Sequence, residues 1–508
     1  MRKITIQDRR SVSTVAAAVV IIIILVIVAI AGVFLIPSLT KSTSTPTSTT
    51  SSQTISPSLT TSSSIPTSTS TTSTTTTSQS SPSTITVTFG ATLSMTGNLQ
   101  AFGQEQNWTF NYAINYVNSL GGIPLANGSH AMIKLVVLDD QSNPSIGVTN
   151  LNELVSTYHA SIILGELGGV QDSVAQSFAT KTQIPYVGPV YISTYKTCTT
   201  NCNSSWIFSP FENETNEAHV FLNWFHSVDP STSSNNVTIA FFGEGDPAAQ
   251  YNNQAGEAYA RQLGYTVCTC SDTTFTPGSQ TEMDTFIQAA KAANAQAVYG
   301  LPLPPDAVLM FQAAQQYNYT PKAWLLTRGT AVAPFAVQAI GGLGNVSAGA
   351  MSAFPWNPLV PYVGNILGHN VSNSQIVSAY EQANGHPPTL EGVYYTQVLL
   401  AADAIEQAGS LNNVAIRNAL RSNTYQTPMG PMSFTLGGQW VQSQQYILLM
   451  QWQNLVVSGH TVQALQILEP INVATTNYII YPFTFENADN TITQNTSPWP
   501  PANVSTST

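Results

Sequence analysis

His219 and His226 stand seven residues apart in one stretch, close to Glu217, and imidazoles with a carboxylate are a donor set for a transition metal. Two histidines on one helix face are far more often solvated side chains, so no metal is expected there. Glu212, Glu214 and Glu217 open the same stretch, where a helix N-terminus favours negative charge. Cys198, Cys202, Cys268 and Cys270 have no histidines at zinc-finger spacing, which leaves disulfides as their chemistry outside the cytoplasm. Cys198–Cys202 closes a short loop comfortably, whereas Cys268–Cys270 is strained at that separation, so cross-pairing stays open. The chain has no His-Glu-x-x-His, no Gly-x-Ser-x-Gly, no phosphate loop and no dinucleotide fingerprint. Nothing sets a nucleophile beside a base at readable spacing. The expectation is a protein that binds without catalysing, and that needs no cofactor.

The elements that would carry such a site alternate. Ile85–Leu93 is β-branched and alternating, a strand. Trp108, Tyr112 and Tyr116 at four-residue spacing predict a helix over Gln104–Asn118. Strand Ile133–Leu138 ends in Asp139-Asp140, and Asn143-Pro144 opens a helix to about Thr157. Strand Ser161–Leu164, a helix ending at Lys181, and strand Ile184–Val187 follow. A second β-α series runs through helix Asn213–Val228, strand Val237–Phe242 and helix Ala248–Leu263. It continues with strand Tyr265–Cys270, helix Ser279–Ala293, strand Gln296–Leu301, helix Pro305–Tyr317 and strand Ala323–Thr327. Gly349–Phe354 reads as a strand, then helices near Ser372–Asn384, Leu390–Gln407 and Val414–Arg421, then strands Tyr446–Gln453 and Val462–Leu468. Two such sets imply two α/β lobes, each a parallel sheet with helices on both faces.

What precedes the head is simpler. Arg2, Lys3, Arg9 and Arg10 lie before Val15–Ile36, a run without charge and long enough to span a bilayer core. The positive flank predicts the N-terminus inside and the rest outside. A cleaved signal peptide is the rival, but its apolar region is usually shorter. Ser38–Thr84 is almost entirely Ser, Thr and Pro, which cannot bury enough apolar surface to fold and reads as an exposed, O-glycosylated stalk. The expected organisation is a cytoplasmic segment 1–14, an anchor or signal-anchor 15–36, a stalk 37–84, lobe 1 over 85–207 plus 350–430, lobe 2 over 208–349 plus 431–490, and a flexible tail 491–508. The expected location is the cell membrane, single-pass, with the head extracellular.

Only 8% of residues are charged, and nine of the Lys and Arg lie beyond residue 84. Soluble domains usually carry about a quarter. A surface of Asn, Gln, Ser and Thr loses little when carboxylates protonate, which points to an acidic exterior. The formal charge of −11 argues against nucleic acid. Glycosylation sequons stand at Asn107, Asn127, Asn203, Asn213, Asn236, Asn318, Asn345, Asn370, Asn495 and Asn503.

Several strings, in this order and spacing, resemble the type 1 periplasmic binding proteins that serve branched-chain amino acid ABC transporters. They are Phe89-Gly90-Ala91-Thr92-Leu93-Ser94-Met95-Thr96-Gly97 with Ala101-Phe102-Gly103, then Ile114-Asn115-Tyr116-Val117-Asn118-Ser119-Leu120-Gly121-Gly122-Ile123 and Leu138-Asp139-Asp140-Gln141-Ser142-Asn143-Pro144. Ile163-Leu164-Gly165, Ile184-Pro185-Tyr186-Val187-Gly188-Pro189 and Met429-Gly430-Pro431-Met432-Ser433-Phe434 complete the set. The string Arg-Arg-Ser-Val-Ser-Thr-Val-Ala-Ala-Ala also resembles the processing region of archaeal pilin-like signals, which points to an archaeal source.

The resemblance implies two Rossmann-like lobes joined by a three-stranded hinge, with crossings near Phe208, Ala350 and Gly430. It implies a small polar solute (amino acid, amide or carboxylate) held in the cleft, and partnership with an ABC permease and ATPase. Gly168-Gly169 would seat an anion before a helix, and Val190, Tyr191 and Ser193 form the matching segment after the next strand. Phe102 falls at a rim aromatic position and Tyr251 at another in the second lobe. Amino-acid binders of the family carry an acid for the ligand's ammonium after the last long strand of the second lobe, where this chain has Arg328. Arginine suits a carboxylate instead. A ligand-sensing receptor ectodomain and a surface-structural or adhesion glycoprotein are the alternative readings.

Overall fold

Strand β1 (Thr84–Leu93) owes its place to alternation: Val87, Phe89, Ala91 and Leu93 are buried and fix one face against the core. The computed structural model describes residues 83–97, 99–167, 172–191, 206–228, 237–245, 247–270, 274–331, 348–457, 460–476 and 478–483. The cytoplasmic segment, the anchor Val15–Ile36, nearly all of the stalk and the tail lie outside them, as do Gly168, Gly169, Ser193, Cys198, Cys202, Asn203, Asn236, Asn345, Asn495 and Asn503. Among the described residues no helix is long and apolar enough to cross a membrane.

β1 pairs in parallel with β3 (His130–Asp139) on one side and β4 (Ile162–Leu164) on the other. β5 (Tyr186–Val187) and β6 (Ile207–Phe208) extend the sheet in parallel, and β2 (Ile123–Pro124) adds an antiparallel edge on β3. Helices α1 (Gln100–Ser119), α2 (Pro144–Ser156) and α3 (Asp172–Thr182) make the crossovers. Asn143 caps α2 as its sequence signal predicts: its side chain accepts from the amides of Ser145 and Ile146, with Pro144 in the first turn.

The second sheet repeats the plan. α4 (Glu214–Val228) leads to β7 (Thr238–Glu244), α5 (Pro247–Gln262), β8 (Thr266–Val267), β9 (Thr274–Phe275), α6 (Gln280–Ala292), β10 (Ala295–Leu301), α7 (Pro304–Gln316), β11 (Ala323–Leu326) and β12 (Ala350–Phe354). The order is β8-β7-β10-β11-β12, all parallel, with β9 also on β7. Hairpins β13–β14 (Val363–Ile366, His369–Ser372) and β15–β16 (Tyr425–Thr427, Gly430–Met432) bracket α8 (Asn373–Asn384), α9 (Glu391–Ala408) and α10 (Asn413–Ser422). α9 is buried over most of its length against α1 and the first sheet. After the short α11 (Ser443–Tyr446), β17 (Leu448–Val457) and β18 (His460–Glu469) return antiparallel to complete the second sheet.

In both sheets the strand order along the chain is second, first, third, fourth, fifth, so each has a switch point beside its first strand, where ligands of open α/β sheets sit. The chain passes between the sheets three times, after β6, after β12 and after β16. Aromatic edges knit these passages: Phe208 meets Phe434, and Phe211 meets both Tyr191 and Phe354, at centroid distances of 5.2–5.4 Å. Ser209 also donates its amide to Gly438.

Some boundaries move. Ser83 accepts from the His130 amide and Thr84 begins β1, so the two residues expected to end the stalk belong to the sheet. β12 hydrogen-bonds to β11 and β17, so Ala350–Phe354 completes the second sheet rather than opening the return to the first. The strand expected over Tyr265–Cys270 shortens to Thr266–Val267, because a Cys268–Cys270 disulfide closes a turn there. The open choice of pairing for these two cysteines is thereby settled. Among the sequons, Asn127, Asn318 and Asn370 are exposed, and Asn107 is half-buried on α1 beside buried Thr109. The Asn213 side chain already accepts from the amide and hydroxyl of Thr215.

Candidate functional site

The loop after β1 is a built object. Ser94 donates its hydroxyl to Asp140 (2.8 Å) and its amide to Glu166. Thr96 donates amide and hydroxyl to Asp139, at 3.2 and 2.8 Å. Gln106 on α1 bridges to the next loop, donating to the Gly165 carbonyl (2.7 Å) and accepting from the Leu167 amide (3.3 Å). α1 approaches so closely that a Cβ on Gly103 would lie 2.3 Å from the Ser94 carbonyl oxygen. The strings Leu93-Ser94, Ala101-Phe102-Gly103 and Asp139-Asp140 thus lock one switch point together. Burial and the neighbouring Asp140 carboxylate raise Glu166 to about 8.

The second lobe contributes a different turn. Thr327–Ala331 follows β11, and Arg328 sits there at φ 58°, a left-handed conformation uncommon for any residue but glycine. It is held from three sides. The Thr327 hydroxyl donates to the Ala353 carbonyl (2.8 Å), the Thr330 hydroxyl to the Met351 carbonyl (2.9 Å), and the Trp452 indole to the Thr330 carbonyl (2.6 Å).

This turn brings Arg328 to Tyr191, which follows β5 of the first sheet: the guanidinium carbon lies 5.2 Å from the ring centroid. The Tyr191 hydroxyl donates to Glu217 on α4 (3.2 Å), and Asn252 on α5 donates to the other Glu217 oxygen (3.1 Å). Tyr299 on β10 donates to Asn252, and the buried Glu212 carboxyl lies beside Glu217. Tyr191, Glu212 and Glu217 are buried. Burial pushes Glu217 above the ordinary carboxylate range, against the pull of Glu212, Arg328 and the Tyr191 hydroxyl. Burial and the same acids raise Tyr191 as well. The result is one guanidinium, one aromatic face and a buried carboxyl pair where the two sheets meet. Arg328 is partly exposed there, whereas Tyr191, Glu212 and Glu217 lie beneath the surface.

Of the residues named from the sequence, the structure joins Tyr191 and Arg328. Val190 is buried in the first-lobe core, its amide on the Ser209 hydroxyl, so its side chain packs rather than lines. Phe102 is half-buried at the start of α1, and Tyr251 half-buried on α5. Glu212 and Glu217 do more than serve a helix terminus, because the fold turns them inward onto Tyr191 and Asn252. The acid that the Arg328 position lacks is supplied here from α4. A carboxylate buried one turn into an amphipathic helix was the available signal. His219 packs on Tyr259, and His226 meets the Tyr265 hydroxyl, so Glu217 faces away from both.

A family model for periplasmic binding proteins matches residues 86–459. Among solved structures, a leucine-binding protein LivK from Thermotoga maritima is 17% identical with a TM-score of 0.58, over 76% of this chain and 99% of that one. LivJ from Streptococcus pneumoniae, a branched-chain amino acid transporter substrate-binding protein solved with isoleucine, is 17% identical with a TM-score of 0.57, over 76% and 100%. An ABC-transporter solute-binding protein from R. palustris, solved with 4-hydroxybenzoate, is 14% identical with a TM-score of 0.58, over 75% and 96%. With its paired five-stranded parallel cores, its three passages between sheets and this match across most of its length, the chain belongs to the periplasmic binding protein family and has the type 1 fold.

Proposed function

We propose that this protein is the extracytoplasmic solute-binding subunit of an ABC uptake system, tethered by Val15–Ile36 and raised on its Ser/Thr/Pro stalk. It binds a small carboxylate-bearing solute, amino acids included, between its lobes and delivers it to a membrane permease. It performs no chemistry itself, and partner subunits hydrolyse ATP. Contacts made to both lobes would favour the closed arrangement by population shift. The observation that carries this reading is the Tyr191–Arg328–Glu217 constellation, contributed by both sheets. Relatives of the same fold hold isoleucine in one case and 4-hydroxybenzoate in another, and a carboxylate is common to both. A guanidinium is well matched to that group, and Glu217 with Glu212 supplies acceptors for an ammonium or amide end.

The test is a thermal-shift screen of the full-length protein near pH 3 and pH 6 with amino acids, amides, carboxylates and sugars. Binding to the native state raises Tm by mass action. A rise with carboxylate-bearing solutes, lost in Arg328→Ala, is expected. No rise with any class, or an Arg328→Ala protein of unchanged affinity, overturns the reading.

A further inference from the structure

A second concavity lies wholly within the first lobe, between α1 and α8, away from the turn that carries Arg328. Its volume is about 290 Å³, with Glu105, Trp108, Tyr380 and His386 in its lining. The rings form successive right-angled corners. Tyr380 meets Trp108 edge-on at 4.9 Å and 85°, and His386 meets Tyr380 at 5.3 Å and 77°. One face of Trp108 is already covered by Tyr112, stacked at 5.2 Å.

Beneath these rings is a pair of carboxyl groups. Thr389 stands between them: its hydroxyl donates to Glu105 (2.9 Å) and its amide to Glu391 (2.5 Å). Glu391 is fully buried and Glu105 is 9% exposed. Tyr380 also hydrogen-bonds Glu391, so its hydroxyl ties the aromatic corner to the acid pair. Neither acid has an ion-pair partner among them. Burial raises Glu105 to about 7, and burial together with Glu105 raises Glu391 to about 8. A buried acid pair without a cation is costly once ionised. Tyr380 is 2% exposed and Trp108 half-buried, so Trp108 presents the larger aromatic surface to the pocket, and an aromatic surface beside a carboxylate attracts an organic cation.

We propose that this pocket is a binding site for a small organic ammonium ion, seated in the corner of Trp108 and Tyr380 over the Glu105 carboxylate. It is independent of the solute site between the lobes. A metal ion is a poorer match, because among the described residues no three His, Cys, Asp or Glu side chains gather to hold one.

The experiment titrates the full-length protein at pH 7.5 with tetramethylammonium and with methylammonium chloride, against sodium chloride at equal ionic strength. Tm and the line-broadening of the probe's methyl resonance are the readouts. The expected result is a saturable response to the ammonium probes and none to sodium. Affinity should fall at least tenfold in Glu105→Gln, which keeps the side-chain volume, and in Trp108→Leu. Each variant is compared with its own probe-free Tm, so a change in baseline stability does not enter. No saturable response in the wild-type protein overturns the proposal, and so does an affinity in either variant equal to that of the wild type. A solute found in the thermal-shift screen should bind both variants as it binds wild type.

Discussion

Besides Asp140 and Glu166 at the first switch point, two buried carboxyl pairs are solved in opposite ways. Glu212 and Glu217 lie side by side where the sheets meet and have Arg328, Tyr191 and Asn252 around them. Glu105 and Glu391 in the first lobe have Thr389 between them and no ion-pair partner among the described residues. With so few basic residues in the head, a guanidinium is scarce, and one of the few stands where the two sheets meet. The first-lobe pair must instead be held neutral by protonation or met by something from outside.

The broadest way to break that comparison is pH. Glu105 and Asp403 are raised to about 7, and Glu166 and Glu391 to about 8, mainly by burial. A raised carboxyl binds its proton more tightly in the folded state. Its contribution is therefore full below the unfolded value near 4 and is lost as pH climbs through 7 and 8. At about 1.4 kcal/mol per pH unit for each group, the four together amount to up to about 13 kcal/mol between pH 5 and pH 8.5. Calorimetric scans across that range should show Tm falling as pH rises. A Tm that is higher at pH 8.5 than at pH 5 would remove the basis for an acid-adapted head and for the acidic exterior expected from composition.

Arg328→Ala tests the paired side. It strips the cation from Glu217 and Tyr191 and should destabilise by about 2–3 kcal/mol near neutral pH. Adding Glu217→Gln should recover part of the loss, since the remaining charge goes too. Denaturant midpoints of the single and double variants decide it, and strict additivity would mean the two side chains are not coupled.

Substituting the acids one at a time sharpens the contrast, because the signs should differ. At pH 8, Glu391→Gln and Glu105→Gln should each stabilise by about 1–2 kcal/mol, since they remove a buried charge that nothing offsets. At pH 5 they should change little. Glu217→Gln at pH 8 should destabilise instead, leaving Arg328 without its acidic neighbour. If all three substitutions move the midpoint the same way, the two pairs are not different in kind.

How much of this was readable before folding follows from the range of each interaction. The β-α rhythm, the Asn143-Pro144 helix start and the long apolar α9 are local patterns, and the structure keeps them within a few residues. The short pieces escaped. β2, β6 and β9 span two residues each, and the β13–β14 and β15–β16 hairpins alternate too briefly to stand out. At the site, Arg328 was marked because family spacing pointed to it, and Tyr191 because it follows a strand end. The carboxyl pairs were misjudged or unseen for one reason. Glu105 meets Thr389 across 284 residues of sequence, and Glu217 meets Tyr191 and Asn252 from separate elements, so no local spacing encodes the contact. The Gln106 bridge between the loops after β1 and β4 is of the same kind.

Thr389 gives the finest cut. Its hydroxyl is the side-chain donor that favours the ionised form of Glu105, while burial opposes it. Thr389→Val keeps the shape and the amide bond to Glu391 but removes that donor. At pH 8 the Glu105 carboxylate would then lose its hydrogen bond inside a dry site, a loss of about 1 kcal/mol or slightly more. At pH 5 a protonated Glu105 needs the donor less, and the loss should shrink. The same substitution has no counterpart in the second pair, where Glu217 keeps the Tyr191 hydroxyl and the Asn252 amide whatever happens at Thr389. Solute affinity between the lobes should therefore be unchanged in Thr389→Val, and denaturant midpoints at the two pH values should separate. A pH-independent cost would mean that Thr389 serves packing alone, and that the first-lobe acids are neutral throughout.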